Sequence, residues 1–292
     1  METRTNDSSQ ITHISDTALW VSVYRAMETK RKDALFRDPY AEILAGERGR
    51  QIAENMSDRK SGAWPMIVRT AVIDEFVTRA LTQDAVDTVI NLAAGLDTRP
   101  YRLDLPESLR WIEVDLPEIL SYKEEKLANA TPRCTLERVR LDLTNIEARK
   151  NLFVKINRDA KRALVITEGL LIYLSSEDVA SLARDLHAQQ NFRRWVIDIA
   201  TPTLLLWLLK RRFRSFAEGT VQMRFAPEEG PGFFKAFGWN EAEVRAVSKE
   251  ARRLKREMPG AWLYRLLSPF ASKKMREFYS RMDSYFVLLE RT

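Results

Sequence analysis

Cysteine and histidine are almost missing from this sequence of 292 residues. It contains one cysteine, Cys134, and two histidines, His13 and His187. A single cysteine cannot form an intramolecular disulfide, and no cysteine-based zinc cluster can be built from it. Two histidines also argue against a multi-histidine metal site. We therefore expect a protein that holds no metal ion.

Long apolar runs and a strong charge imbalance are missing as well. No segment approaches the ~18 consecutive apolar residues of a spanning helix, and the polar start METRTNDSSQITHISD does not have the form of a secretory signal. The formal net charge is +6, from 47 Lys and Arg against 41 Asp and Glu. A charge of this size does not require nucleic acid. The sequence predicts a cytoplasmic protein without a nucleic-acid partner.

The apolar pattern changes character near residue 85. An apolar content of 45% supports a full hydrophobic core. Before residue 85 the apolar residues recur at helical spacing, with Pro39 and Pro65 near helix starts and Gly46 after a helix end. After it, short apolar runs alternate with helical segments. This alternation predicts a doubly wound α/β sheet that follows a helical N-terminal part.

Four of the predicted strands end in glycine or acidic residues. The first run is followed by Gly95, where the lack of a side chain lets the backbone pass close to a ligand. The second ends at Asp115, where doubly wound proteins place an acid that binds ribose hydroxyls. The third ends in Asp142-Leu143 and the fourth in Glu168. The carboxyl ends of parallel strands share one sheet edge, so these residues are predicted to line one site.

The pattern at these strand ends indicates a ligand with a ribose and an adenine but no pyrophosphate. The dinucleotide fingerprint GxGxxG is absent, so S-adenosylmethionine fits better than NAD, which stays open as a weaker alternative. Taken singly, Gly95 is equally compatible with a plain turn and Asp115 with a strand-end cap. The ordered set of four strand ends is what favours binding.

Three motifs along the sheet resemble the leucine carboxyl methyltransferase family. They are NLAAGLDTRPYRL (91–103), EVDLPEILSYKEEKL (113–127) and TEGLLIYLSSEDV (167–179). The similarity is greatest to a bacterial branch that resembles polyketide O-methyltransferases, within the class I enzymes that use S-adenosylmethionine. The N-terminal segment RAMETKRKDALFRDPYAEIL (25–44) also resembles this family.

The resemblance implies an architecture. We expect a Rossmann-like methyltransferase sheet, mostly parallel with an antiparallel last strand, in a domain of residues 86–292 that binds S-adenosylmethionine. Residues 1–85 would form an N-terminal helical cap. Lid inserts are expected near residues 202–235 and 258–283, where the apolar pattern is least regular.

The resemblance also implies roles for individual residues at matching positions. Arg25 and Arg69 match two basic residues that hold the methionine carboxylate, and a guanidinium suits a carboxylate because it donates two parallel hydrogen bonds. The matches at the sheet edge are Gly95 in the first turn, Asp115 at the ribose, Asp142 and Leu143 at the adenine, and Glu168 near the methionine amine. Tyr173, in the same stretch, is a candidate for a catalytic role that the resemblance does not define.

Together these features predict an O-methyltransferase that acts on a small molecule such as a polyketide-like metabolite. A carboxylate acceptor needs no base, whereas a hydroxyl does, so the scarcity of histidine favours the carboxylate without excluding a hydroxyl. Thr167-Glu168-Gly169-Leu170 does not have the polar-Pro-Pro-aromatic pattern of enzymes that methylate amino groups, which also argues against nucleic acid.

Residues 203–216 leave a second interpretation open. Six apolar residues, 204–209, precede the basic run KRRFR, a combination typical of segments that lie on a membrane surface. WLYRLLSPF (262–270) is a similar fragment. A lid over the acceptor pocket, a membrane-surface contact and a subunit contact are all compatible with this pattern. The alternative function is that of a membrane-surface or binding protein that retains the methyltransferase fold.

Overall fold

The computed structural model describes residues 14–55, 63–212, 222–258, 260–267, 272 and 281–292. Three helices precede the first strand: α1 (Ile14–Thr29), α2 (Ala41–Asn55) and α3 (Trp64–Gln83). The predicted helix end at Gly46 is confirmed, because Gly46 adopts φ 58° and ψ −167°, a non-helical conformation. A second helical segment follows it, and the range of α2 spans both segments.

Among the described residues, seven strands form one sheet in the order β3-β2-β1-β4-β5-β7-β6. The first five strands run parallel, and β7 pairs antiparallel with both β5 and β6. The predicted doubly wound, mostly parallel sheet with an antiparallel last strand is therefore confirmed. The strands are β1 (Thr88–Leu92), β2 (Arg110–Asp115), β3 (Thr135–Arg140), β4 (Ala163–Thr167), β5 (Phe192–Ala200), β6 (Trp239–Ala246) and β7 (Ser284–Arg291).

Helices connect these strands and cover the sheet. They are α4 (Arg99–Arg102), α5 (Pro117–Lys126), α6 (Ile146–Asp159), α7 (Ser176–His187), α8 (Pro202–Trp207), α9 (Val247–Arg253) and α10 (Ala261–Leu267). The sequence did not predict α6, in which Phe153 and Ile156 are the buried apolar residues and Asn145 caps the N-terminus by accepting from the Ala148 N–H. None of the described helices combines bilayer-spanning length with a sufficiently apolar sequence.

The helices before the sheet do not form one separate layer. Val72, Ile73 and Phe76 of α3 pack in one apolar cluster with residues of β1, β2, β4 and β5. Helices α1 and α2 pack mainly on each other. The division between a cap of residues 1–85 and a domain of residues 86–292 stays a prediction, because α3 is part of the packing of the sheet.

A buried ion pair joins α5 to β2 just before Asp115. Lys123 Nζ lies 2.7 Å from Glu113 Oε1, and both side chains are completely buried. Arg138 on β3 donates from Nε to the second oxygen of Glu113 at 2.9 Å. Removing two charges from water is costly, and the contact is favourable only while both partners are present. The pair therefore holds α5 in register with the strand that ends at the site.

Replacing Lys123 tests this pair. Lys123→Met should lower the free energy of unfolding by about 3–5 kcal/mol, because Glu113 stays buried with its charge only partly compensated. Lys30→Met, which removes an exposed pair with Glu42, is the control and should change it by less than about 1 kcal/mol. Urea unfolding followed by circular dichroism measures both. A change in Lys123→Met as small as in the control would contradict the structural role of the pair.

Candidate active site

A cavity of about 1170 Å³ opens at the carboxyl ends of the parallel strands. This is above the ~300–1,000 Å³ typical of a pocket for one small ligand, so two molecules have room side by side. All eight residues singled out from the sequence lie on its wall: Arg25, Arg69, Gly95, Asp115, Asp142, Leu143, Glu168 and Tyr173. Their roles toward a cofactor stay predictions.

Gly95 and Asp115 contact each other across the first two strand ends. Gly95 adopts φ +49°, which favours glycine, and its N–H donates to Asp115 Oδ2 at 2.6 Å. Leu116 N–H donates to Oδ1 at 2.7 Å. Burial raises the pKa of Asp115, although these two hydrogen bonds oppose the shift. Each carboxylate oxygen can accept a second hydrogen bond, so Asp115 suits a ligand with two adjacent hydroxyls.

Asp142 and Leu143 lie in the loop that follows β3. Asp142 is exposed, and its Oδ1 accepts from both the N–H and the hydroxyl of Thr144, at 2.9 and 2.8 Å. Leu143 packs against the main apolar cluster. The loop thus binds one oxygen of the Asp142 carboxylate. This carboxylate suits the amino edge of a purine, and the neighbouring apolar side chain of Leu143 suits its flat face.

Glu168 lies between two arginines at the end of β4. Its Oε2 accepts from Arg99 Nη1 at 2.8 Å, and its Oε1 lies 2.9 Å from Arg69 Nε. Burial alone would raise the pKa of Glu168, but the charges of Arg99 and Arg69 lower it. Glu168 therefore stays ionised and can accept from a ligand amine.

Arg69 also contacts Asp198, a residue that was not predicted from the sequence. Arg69 Nη1 donates to Asp198 Oδ2 at 3.1 Å, and the Gly169 N–H donates to Oδ1 at 2.7 Å. Gly169 leaves room for Arg69, because a Cβ there would lie 3.0 Å from Nη1. Asp198 lies near the end of β5 and lines the cavity. The sequence could have indicated Asp198, since β5, like the earlier strands, ends close to an acidic residue.

Arg25 reaches the cavity from α1. Its Nη2 donates to the Leu96 carbonyl at 2.7 Å and to Ser22 Oγ at 2.9 Å, and its Nε lies 3.4 Å from Asp38 Oδ2. The Nε–H groups of Arg25 and Arg69 are buried, and neither makes a hydrogen bond among the described residues, although a carboxylate lies near each. Buried donors of this kind are costly unless a ligand accepts from them. The methionine carboxylate fits this requirement.

Asp97 supplies the negative charge beside Asn91. Asn91 Nδ2 donates to Asp97 Oδ2 at 2.8 Å. Arg99 Nη1 donates to the same oxygen at 2.9 Å. Burial would raise the pKa of Asp97, but the charges of Arg99, Lys123 and Arg102 lower it to about 2. Asp97 lines the cavity and was missed as a site residue.

Tyr173 differs from these acids because its side chain is a phenol. Burial raises the pKa of its phenol, which the charge of Arg69 only partly offsets. The group therefore stays protonated at neutral pH and suits the donation of a hydrogen bond better than the removal of a proton. Its catalytic role stays a prediction.

Comparison with known proteins shows the family of this chain. The family model for leucine carboxyl methyltransferase matches residues 18–187. The chain belongs to the leucine carboxyl methyltransferase family. It is accordingly an S-adenosylmethionine-dependent methyltransferase, and its cofactor is S-adenosylmethionine.

Curated relatives in actinobacteria carry the same assignment in their names. A protein of Frankia alni, named as an S-adenosyl-L-methionine-dependent methyltransferase, is 30% identical over 270 residues, which cover 84% of this chain and 89% of the relative. A protein of Saccharopolyspora erythraea with the same description is 36% identical over 186 residues, which cover 61% of this chain and 64% of that relative.

Solved structures share the fold at low sequence identity. A DUF574 family protein from Streptomyces avermitilis has a TM-score of 0.62 at 16% identity, over 98% of this chain and 99% of its own. A protein from Thermobifida fusca that is described as a methyltransferase has a TM-score of 0.60 at 15% identity, over 98% of this chain and 97% of its own. At such identities the likeness shows the fold alone.

The pKa of Asp97 predicts a pH-dependent contribution to stability. Because folding lowers this pKa from 3.8 to about 2, the ionised group stabilises the fold above about pH 4, and this is lost as the pH falls toward 2. The full contribution is about 2 kcal/mol. The difference in free energy of unfolding between wild type and Asp97→Asn should therefore fall by about 1 kcal/mol between about pH 6 and pH 3. Asp104→Asn, at an exposed position, is the control, and a difference for Asp97→Asn that stays constant with pH would contradict the assignment.

Proposed function

We propose that this enzyme transfers the methyl group of S-adenosylmethionine to an oxygen of a small, largely apolar molecule, and that this oxygen belongs to a carboxylate. The composition of the cavity wall carries the proposal. Polar groups come from the strand ends and from Arg25 of α1 and Arg69 of α3, whereas much of the remaining wall is apolar. Its apolar side chains from α1, α3, the later inserts and β7 include Trp20, Trp64, Met66, Leu204, Trp207, Leu208, Met223 and Phe286.

The strand-end residues would bind the cofactor. Arg25 and Arg69 would hold the methionine carboxylate, Glu168 the amine and Asp115 the ribose, with Asp142 and Leu143 at the adenine. When bound, S-adenosylmethionine supplies an electrophilic methyl group on a sulfonium. The part of the protein is to hold the acceptor in line with that group and to keep water away.

The apolar block 204–209 supports the lid interpretation. Leu204, Trp207 and Leu208 line the cavity, Leu205 is buried, and Leu206 is exposed. Residues 213–216 of the predicted anchor lie outside the described residues, as do 268–271 and 273–280 of the second insert. The proposed lid is therefore built from the parts of 202–235 and 258–283 that the structure describes.

A buried ion pair connects α1 to the segment that leads into the second insert. Arg256 Nη2 donates to Glu28 Oε1 at 2.8 Å, and both side chains are buried. Met258, two residues later, lines the cavity, as do Trp20 and Arg25 of α1. The pair thus holds two parts of the proposed acceptor pocket against each other.

The nucleophile decides which protein groups take part. A carboxylate attacks without a base. His187 packs against Trp239 and does not line the cavity, and His13 lies outside the described residues.

Asp198 favours a second candidate, a hydroxyl acceptor. As the oxygen–methyl bond forms and the sulfur–methyl bond breaks, the hydroxyl proton would pass to the Asp198 carboxylate and then to water.

Matched acceptors test this proposal. Labelled S-adenosylmethionine is incubated with pairs of carboxylic acids and phenols that share the same apolar skeleton, and we expect label in base-labile methyl esters. In Asp198→Asn the ratio of acid to phenol methylation should rise about a hundredfold, because only the phenol needs a base. Taking a ratio cancels any loss of cofactor binding through Arg69.

Two results would contradict the proposal. Wild-type enzyme that binds S-adenosylhomocysteine but labels neither acids nor phenols would overturn oxygen methylation. An Asp198→Asn variant with an unchanged ratio would remove Asp198 from the hydroxyl alternative. The proposal retains the cytoplasmic setting and the small-molecule acceptor expected from the sequence.

A further inference from the structure

Exposed apolar side chains concentrate around the proposed lid. Nine large apolar side chains are exposed in the described part of the chain, and five of them fall within residues 202–212 and 247–267. Such a concentration differs from the singly scattered apolar residues of an ordinary surface. The five are Leu206, Met258, Trp262, Leu263 and Leu266.

Helix α10 contributes the largest part of this surface. Trp262 and Leu266 are each 63% exposed, and Leu263 is 45% exposed. Residues four apart lie on the same side of a helix, so Trp262 and Leu266 project together. Tryptophan next to leucine is the composition that interfacial segments present to a bilayer.

The exposed residues adjoin residues that line the cavity. Met258 and Ala261, just before the exposed residues of α10, line the cavity. On the other insert, Leu204 and Trp207 line it, and Leu206 between them points outward. Both inserts therefore have an inner side toward the cavity and an outer apolar side.

The same two inserts hold the excess of positive charge. Residues 202–235 contain six Lys and Arg against three acidic residues, and residues 258–283 contain five against two. The rest of the chain has 36 basic and 36 acidic residues and is neutral. Lys210, in the first insert, and Lys255, just before the second, are exposed. Basic side chains beside apolar ones complement an anionic lipid surface.

We propose that this outer side of the two inserts docks on an anionic membrane surface. A second copy of the chain is a poor occupant, because a symmetric contact would bring together two surfaces that carry exposed basic residues such as Lys210 and Lys255. The entrance would then open toward lipid, and an apolar acceptor dissolved in the bilayer would enter without crossing water. This last step rests on the proposed function, whereas docking itself does not.

Vesicle flotation of the full-length protein tests the docking. The probes are vesicles of phosphatidylcholine with phosphatidylglycerol and vesicles of phosphatidylcholine alone. Wild type should float with the anionic vesicles and lose binding as salt is raised. Trp262→Ser/Leu266→Ser should bind at least about tenfold more weakly, because two large apolar groups no longer enter the bilayer.

Two further double variants test whether docking depends on this apolar face and on its basic residues. Ile146→Ser/Val154→Ser removes two exposed apolar residues of α6 and should bind within about twofold of wild type, as scattered surface residues do not form a docking face. Lys210→Glu/Lys255→Glu should reduce the preference for phosphatidylglycerol. Titration with S-adenosylhomocysteine shows that each variant is folded.

The results distinguish this proposal from the proposed function. Wild type that does not float with anionic vesicles at low salt, or a Trp262→Ser/Leu266→Ser variant that floats like wild type, overturns the docking. A wild-type dimer that this variant converts to a monomer assigns the face to a second copy and overturns it too. Methyl transfer to a water-soluble acceptor is measured without vesicles, so its failure contradicts the proposed function and leaves docking unaffected.

Discussion

The buried guanidinium of Arg99 is the contact on which the rest of the site depends. Arg99 is 1% exposed, and it donates to Asp74 on α3, to Asp97 after β1 and to Glu168 after β4. A cation buried among carboxylates is tolerated only when the charges compensate one another. The three elements must therefore come together for any of these groups to be stable, and the loops that line the cavity are held in place by the same contacts.

The chemistry of the cavity follows from this constraint. Arginine charges keep Asp97 and Glu168 ionised, so the strand ends present fixed negative charge. Arg25 and Arg69 present buried N–H donors on the same wall. The wall therefore presents both carboxylates and N–H donors. S-adenosylmethionine matches both, because it has a ribose, an amine and a carboxylate.

The sequence predicted those parts of the site that depend on local pattern. Gly95 and Asp115 follow directly from strand ends, and Asp198 has the same signal although it was overlooked. Arg99 was not predicted, because its partners Asp74 and Glu168 lie 25 and 69 positions away, and no local pattern indicates such pairings. The doubly wound sheet was predicted from the alternation of strands and helices, whereas the inserts have no regular period and take their shape from packing around the cavity.

The most direct test of this account is calorimetric titration with S-adenosylhomocysteine. Wild type should bind it, and Asp115→Ala should bind at least about tenfold more weakly, because the ribose hydroxyls lose a charged acceptor worth about 1.5–3 kcal/mol. Asp104→Ala, at an exposed position outside the cavity, should bind like wild type. An Asp115→Ala variant with wild-type affinity would show that the strand-end cavity is not where the cofactor binds.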